Sequence, residues 1–223
     1  MTLRLGDLAP DFSCETTIGD ISFHSYIENH WAILFSHPAD FSKIHILYFI
    51  APVCTTELAR VAALEKQFEE RNVKVLALST DSVEDHLKWK QDIESFGGCS
   101  VNYPIRNLKV IWDVGLYEPK FEFDAADREN CFHNRSMQEN SADDYISRNF
   151  DEIIRVVDSL QMSDKNKIAT PVDWKKGDDV IVPPNVTDED AGAKYVKLLL
   201  EYRFGSNNIK KIFPYLRYAN VNQ

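Results

Sequence analysis

Trp31-Ala32-Ile33-Leu34-Phe35-Ser36 is an apolar run of strand length that stops at Pro38, the pattern of a central strand covered on both faces. Val73-Lys74-Val75-Leu76-Ala77-Leu78-Ser79 reads as a second buried strand. Between them, Pro52 to Arg71 turns helical: Leu58, Val61, Ala62, Ala63, Leu64 and Phe68 make an apolar stripe, while Glu65, Lys66, Glu69, Glu70 and Arg71 face out. Asp81 or Ser82 is placed to cap a helix over Val83 to Phe96, and Asn107 to open a short one to Tyr117. Upstream, residues 5–25 read as β-rich, with Gly19-Asp20 as a hairpin turn and Ser25 capping a short helix from His24 to Asn29. Strands alternating with helices predict an α/β layered fold with a partly parallel sheet.

Glu118 to Ala142 has no sustained period and reads as an irregular exposed loop. Regularity returns in Asn149 to Leu160, a clear amphipathic helix. After residue 163 the composition shifts to Pro171, Gly177, Pro183 and Pro184, which predicts a main domain over 1–163 and a separate arm over 164–223. Within the arm, Val180-Ile181-Val182 and Tyr215-Leu216-Arg217-Tyr218 read as strands, with a helix from Thr187 or Asp188 to about Tyr202.

The net charge of −10 disfavours nucleic acid as a partner, because phosphates are repelled by an acidic surface. No apolar run approaches the ~18 residues of a membrane span, so no stable membrane insertion is expected. Met1 to Asp7 lacks the apolar core of a secretory leader, which makes the cytoplasm the expected compartment. The four cysteines, Cys14, Cys54, Cys99 and Cys131, contain no C-x-x-C pair and so spell neither a zinc ribbon nor a dithiol motif. In a reducing compartment they are expected to be free thiols, mostly inert.

Cys54 stands apart. It follows Pro52, a residue favoured at the first helical position, and a thiol there meets the unpaired N–H groups and partial positive charge of a helix start. Both favour thiolate, the nucleophilic form. His37 lies close in sequence, at the end of the preceding strand. On these features alone an inert buried thiol is the commoner outcome, and the neighbouring words are what change that.

Phe35-Ser36-His37-Pro38-Ala39-Asp40-Phe41, followed by Pro52-Val53-Cys54-Thr55-Thr56-Glu57-Leu58, resembles the peroxidatic-cysteine loop of the peroxiredoxins, and the histidine in the first word resembles their one-cysteine subfamily. Arg148 to Gln161, Ala169 to Asp178 and Tyr215 to Tyr218 fit the same family. The resemblance covers roughly residues 3–117 and 148–186. It implies a thioredoxin-like fold, a central mixed sheet flanked by helices, with a C-terminal arm that helps form a homodimer. It also implies reduction of hydrogen peroxide and of organic or lipid hydroperoxides through a cysteine sulfenic acid, with no bound cofactor. An external thiol, glutathione or a glutathione-linked reductase partner, would complete the cycle, since no cysteine follows Cys131 to act as a C-terminal resolving thiol.

By the same resemblance Cys54 is the peroxidatic nucleophile, Pro38 shields it and His37 stands beside the pocket. Glu57 is the acidic residue one turn on, and Arg148 the arginine close to that glutamate. Three departures accompany the match. Ten residues, Ser42 to Ala51, stand where the family has one threonine, so that Ser42 or Ala51 inherits its place. The strand carrying the family's main catalytic arginine has no counterpart between Tyr117 and Arg148, where only Arg128 and Arg135 are available in unmatched contexts. Of a phospholipase A2 site found in some members, His24 matches the histidine but His30 replaces the serine, so that activity is not expected. A non-catalytic dimeric binding or holdase protein is the alternative function.

Overall fold

The computed structural model describes residues 8–37, 41–44, 47–50, 52–79, 81–107, 147–187 and 209–219. The expected helices at 107–117 and 187–202 and the stretch 118–146 lie outside them. Contacts divide the chain into two compact units, Met1–Arg148 and Asn149–Gln223.

The first unit is built on a five-stranded mixed sheet. Strand β1 (Ser13–Thr16) pairs antiparallel with β2 (Gly19–Ser22), and β3 (Trp31–Ser36) runs parallel to β6 (Val73–Ser79). Strand β7 (Ile105–Asn107) lies between β6, to which it is parallel, and β1, to which it is antiparallel, giving the order β2-β1-β7-β6-β3. The helices are α1 (Phe23–Tyr26), α2 (Pro52–Ala63), α3 (Glu65–Glu69) and α4 (Val83–Gly97), and α2 packs on α4. The mixed sheet with its helices is the α/β architecture expected from the sequence.

β6 is an interior strand between β7 and β3, with all but Lys74 buried. β3, expected at the centre, is an edge among the described strands, and its burial shows why: Ile33 and Phe35 are buried while Trp31, Ala32 and Leu34 are half-exposed. Its apolar run therefore covers one face fully and the other in part. Strand alternation puts Leu76, Leu78 and Leu34 on one face, where they pack with Phe12 and Phe23. The Phe12 and Phe23 rings stack at 4.7 Å, and burying each contributes about 1.5–3 kcal/mol. Ile33, Phe35, Val75 and Ala77 point to the opposite face, which carries the site described below.

The parallel register of β3 and β6 is set by two asparagines. Asn29 and Asn72 both take positive φ (58° and 55°), which asparagine tolerates better than most residues. Asn72 Nδ2 donates to the Asn29 carbonyl at 2.6 Å and the Trp31 N–H donates to the Asn72 carbonyl at 3.0 Å, so both strands start level.

Several local expectations shift. The first hairpin turns at Thr17-Ile18, immediately before Gly19-Asp20, with Gly19 at φ 108° opening β2 and Thr16 Oγ1 donating to the Gly19 carbonyl. Ser25 lies inside α1 and does not cap it; Ser22 holds the cap position, and Asp11 accepts the His24 N–H from across the chain. The single helix expected over 52–71 breaks at Leu64, whose backbone angles (−96°, 2°) turn its side chain into the core. β7 escapes sequence reading because it is three residues long and carries a fully buried Arg106. That guanidinium sits 4.2 Å from the Phe12 ring centroid, and burial holds its pKa below the usual arginine range, against the opposing pull of Cys14.

In the second unit, α5 (Phe150–Asn166) precedes a sheet of order β8-β10-β9, formed by β8 (Val180–Val182), β9 (Ile209–Phe213) and β10 (Leu216–Ala219). Its core is Ile168, Trp174, Val180, Val182 and Ala219, against which Met162 packs. Arg155 Nη1 donates to the Trp174 carbonyl and Ser159 shares a hydrogen bond with Thr170, so α5 is tied to this unit, ahead of the composition change after residue 163.

Candidate active site

Pro52 opens α2, where its missing N–H costs nothing, and Cys54 is the helix's third residue, 1% exposed. The first-turn N–H groups have no intrahelical acceptor and favour an anion at that position. The helix is pinned along its length. Thr56 Oγ1 donates to the Val53 carbonyl at 2.7 Å, and the buried Tyr103 hydroxyl donates to the Leu58 carbonyl at 2.9 Å. At Gly97 on α4 a Cβ would stand 3.0 Å from Ala59 Cβ and 3.0 Å from Cys99 Sγ, so glycine is what lets the two helices approach.

Glu57 follows Cys54 at i+3, on the same side of α2, and is 2% exposed. Arg148 meets it twice: the backbone N–H donates to Oε1 at 2.8 Å and Nη1 donates to Oε2 at 2.7 Å. The guanidinium carbon also lies 5.9 Å from the Phe35 ring centroid, which places the pair over that face of the sheet. The structure thus brings together two residues separated by 91 positions and singled out from sequence.

His37 extends β3, its N–H donating to the Leu78 carbonyl at 2.9 Å, and its side chain is buried. Its ring faces two residues of α4: Trp89 with centroids 5.1 Å apart and His86 at 6.2 Å. Both are fully buried, and Trp89 Nε1 donates to Thr55 Oγ1, next to Cys54, at 3.0 Å. Sequence reasoning missed Trp89, His86 and Thr55. The available signal was His-x-x-Trp at i, i+3, two large residues with Ile93 as the buried stripe of an otherwise polar helix.

Pro38 lies outside the described residues, as do Ala51, Arg128 and Arg135. The inserted run forms a hairpin, β4 (Phe41–Ile44) antiparallel to β5 (Leu47–Ile50), with Ser42 opposite Phe49. Phe41 is the direct partner of Ile50, so the chain returns to within one strand spacing, roughly 5 Å, of where it leaves.

His24 Nε2 donates to the Ala9 carbonyl at 2.7 Å, and Asp11, nearby, accepts from the His24 backbone and the Ser22 hydroxyl. A serine, a histidine and an aspartate are close here, but the carboxylate bonds the histidine's backbone and the serine bonds the carboxylate, which is not the wiring of a hydrolytic triad. Cys14 and Cys99 are free thiols, and burial pushes the Cys14 thiol up, partly countered by Arg106. A cavity of about 280 Å³ lined by Tyr26, Glu65, Phe68, Lys74 and Tyr103 lies by the start of β6 and is not lined by Cys54. Among the described residues no helix is long and apolar enough to cross a membrane.

Residues 5–113 match the AhpC/TSA family, and residues 159–198 match the C-terminal domain of 1-Cys peroxiredoxin. A 1-Cys peroxiredoxin of Dictyostelium discoideum is 42% identical over 87% of this chain and 80% of its own. Peroxiredoxin-6 of Rattus norvegicus is 40% identical over 97% of both chains. Among solved structures, the yeast mitochondrial 1-Cys peroxiredoxin superposes with a TM-score of 0.75 at 32% identity, covering 97% of this chain and 99% of that one. A peroxiredoxin 6 of Arenicola marina, solved as a cysteine-to-serine mutant, gives 0.72 at 31% identity over 99% of both. With relatives this similar spanning nearly its whole length, and with the cysteine word at a helix start beside a thioredoxin-like sheet, the chain belongs to the peroxiredoxin family of thiol-dependent peroxidases.

Proposed function

We propose that this chain is a one-cysteine peroxidase acting through Cys54, with His37, Pro38, Glu57 and Arg148 as its supporting residues. The observation that carries the reading is Cys54 itself: nine-tenths and more buried at the third position of a 12-residue helix, one turn from a carboxylate tied by two hydrogen bonds to Arg148. In the reaction, thiolate sulfur attacks the terminal peroxide oxygen and forms the S–O bond as the O–O bond breaks. The leaving oxygen takes a proton and departs as water or alcohol, and Cys54 becomes a sulfenic acid. Two external thiols then return it to the thiol, releasing their disulfide and water. Burial protects the intermediate from adventitious thiols and water.

Hydrogen peroxide and organic or lipid hydroperoxides are the proposed substrates, and glutathione or a glutathione-linked reductase the proposed source of electrons. The yeast structural neighbour is described as resolved through glutathione and thioredoxin systems, which supports an external thiol. Homodimerisation through the C-terminal arm and a cytoplasmic location belong to the same proposal, as does the lack of phospholipase A2 activity. The experiment is consumption of hydrogen peroxide and of a small alkyl hydroperoxide with glutathione, alongside dimedone trapping at Cys54. The expected result is turnover with a dimedone adduct on the Cys54 peptide, both lost in Cys54→Ser. A folded protein that forms no adduct would instead be the non-catalytic binding protein.

A further inference from the structure

Cys54 and His37 stand on different elements, joined by the segment 38–51, which in this chain is lengthened by the β4–β5 hairpin. Each hairpin strand pairs with the other, so the pairing fixes where the detour begins and ends relative to itself. The Trp89 side chain reaches both of the elements that carry His37 and Cys54. Trp89, fully buried on α4, backs the His37 ring at 5.1 Å with one part of its indole and donates its N–H to Thr55 Oγ1 at 3.0 Å with another. His86, one turn earlier on α4, meets the same His37 ring edge-on at 6.2 Å.

We infer that Trp89 is a positioning residue that holds the His37 and Cys54 halves of the site in register across segment 38–51, through the indole–Thr55 hydrogen bond. The inference rests on Cys54 being the nucleophile. The physical logic is that α4 is a continuous 15-residue helix packed on α2, so that a side chain anchored on it holds a fixed place relative to Thr55. Two packed rings and a directional hydrogen bond transmit position well, because each locks the rotamer of the next. Thr55 immediately follows Cys54, so a turn of α2 released at Thr55 moves the sulfur. A displacement of about 1 Å at a reacting atom is enough to cost a large rate factor.

The test uses the full-length protein and two readouts: the rate of Cys54 alkylation by iodoacetamide at fixed pH, and the second-order rate of reaction with hydrogen peroxide. Trp89→Phe keeps a ring against His37 and removes the N–H; Thr55→Val keeps the shape and removes the acceptor; Thr55→Ser restores the acceptor. Both Trp89→Phe and Thr55→Val are expected to slow both reactions about tenfold. The double variant should be no slower than either single, and Thr55→Ser should run at the parent rate. Rates that multiply in the double variant, Thr55→Ser as slow as Thr55→Val, or a lowered Tm with unchanged rates would each overturn the inference. Because alkylation does not require peroxidase turnover, an inactive parent enzyme would refute the proposed function while leaving this test readable. If Trp89→Phe does not fold, the Thr55→Val and Thr55→Ser comparison decides alone.

Discussion

Removing one partner of the Glu57–Arg148 pair should be far more harmful on one side than on the other. Glu57 is 2% exposed and Arg148 16% at the side chain, so the carboxylate cannot turn to water whereas the guanidinium can. In Arg148→Met the carboxylate stays buried with the residue-148 N–H, now its remaining partner from this pair, at 2.8 Å. Breaking a buried ion pair this way costs about 3–5 kcal/mol; the retained amide places this case near the lower end, about 3 kcal/mol. In Glu57→Gln the amide oxygen still accepts from the backbone, and the partly exposed Arg148 recovers hydration, so the loss should be about 1–2 kcal/mol. The double variant carries no buried unpaired charge and should be no less stable than Arg148→Met alone, a coupling of about 1–2 kcal/mol. Urea unfolding at one fixed protein concentration, which keeps any self-association constant, measures all four proteins by their midpoints at unchanged slope. The reasoning is refuted if Glu57→Gln costs as much as Arg148→Met, or if the double variant shows the sum of the singles.

Two further outcomes follow from other parts of the fold. Burial, assisted by Glu65, pushes the Tyr26 phenol up to about 12, while its hydroxyl donates to the Val75 carbonyl at 2.9 Å. The folded state therefore holds this proton more tightly than the unfolded one: the contribution is fully present below pH 10 and lost between pH 10 and about 12, about 1 kcal/mol once solvent screening of a partly exposed phenol is allowed for. Unfolding midpoints measured from pH 9 to 11.5 should fall more steeply for the parent than for Tyr26→Phe, and parallel curves would contradict this. Asn149 caps α5, its Oδ1 accepting from the N–H groups of Asp151 and Glu152, so Asn149→Ala should cost about 1 kcal/mol in urea unfolding and Asn149→Ser far less.

The sequence by itself determined the features that are local or written as contiguous words. The buried strand Val73–Ser79, a cap at Asp81 or Ser82 (the structure uses Ser82) and the helix start before Cys54 are each decided by neighbours within a turn or two, so pattern and propensity nearly suffice. The cysteine word also identified the family, because its residues lie together in the chain. Tertiary structure decided everything that depends on what lies across the sheet or between helices. It made β3 an edge among the described strands and put the three-residue β7 in the middle of the sheet, since a strand's place depends on its partners and not on its own apolar run. It gave a buried arginine a place on β7, where the Phe12 ring accepts the cation that a sequence pattern counts as exposed. The stretch from His37 to Leu58 shows the division most sharply. Its ten-residue insertion is visible in the sequence as added length, and cross-strand pairing of Phe41 with Ile50 made it a hairpin. Its flanks carried the chemistry in sequence, but the Trp89 side chain that touches both comes from an element more than thirty positions downstream of Cys54, a distance over which only packing, and no local rule, can bring residues together.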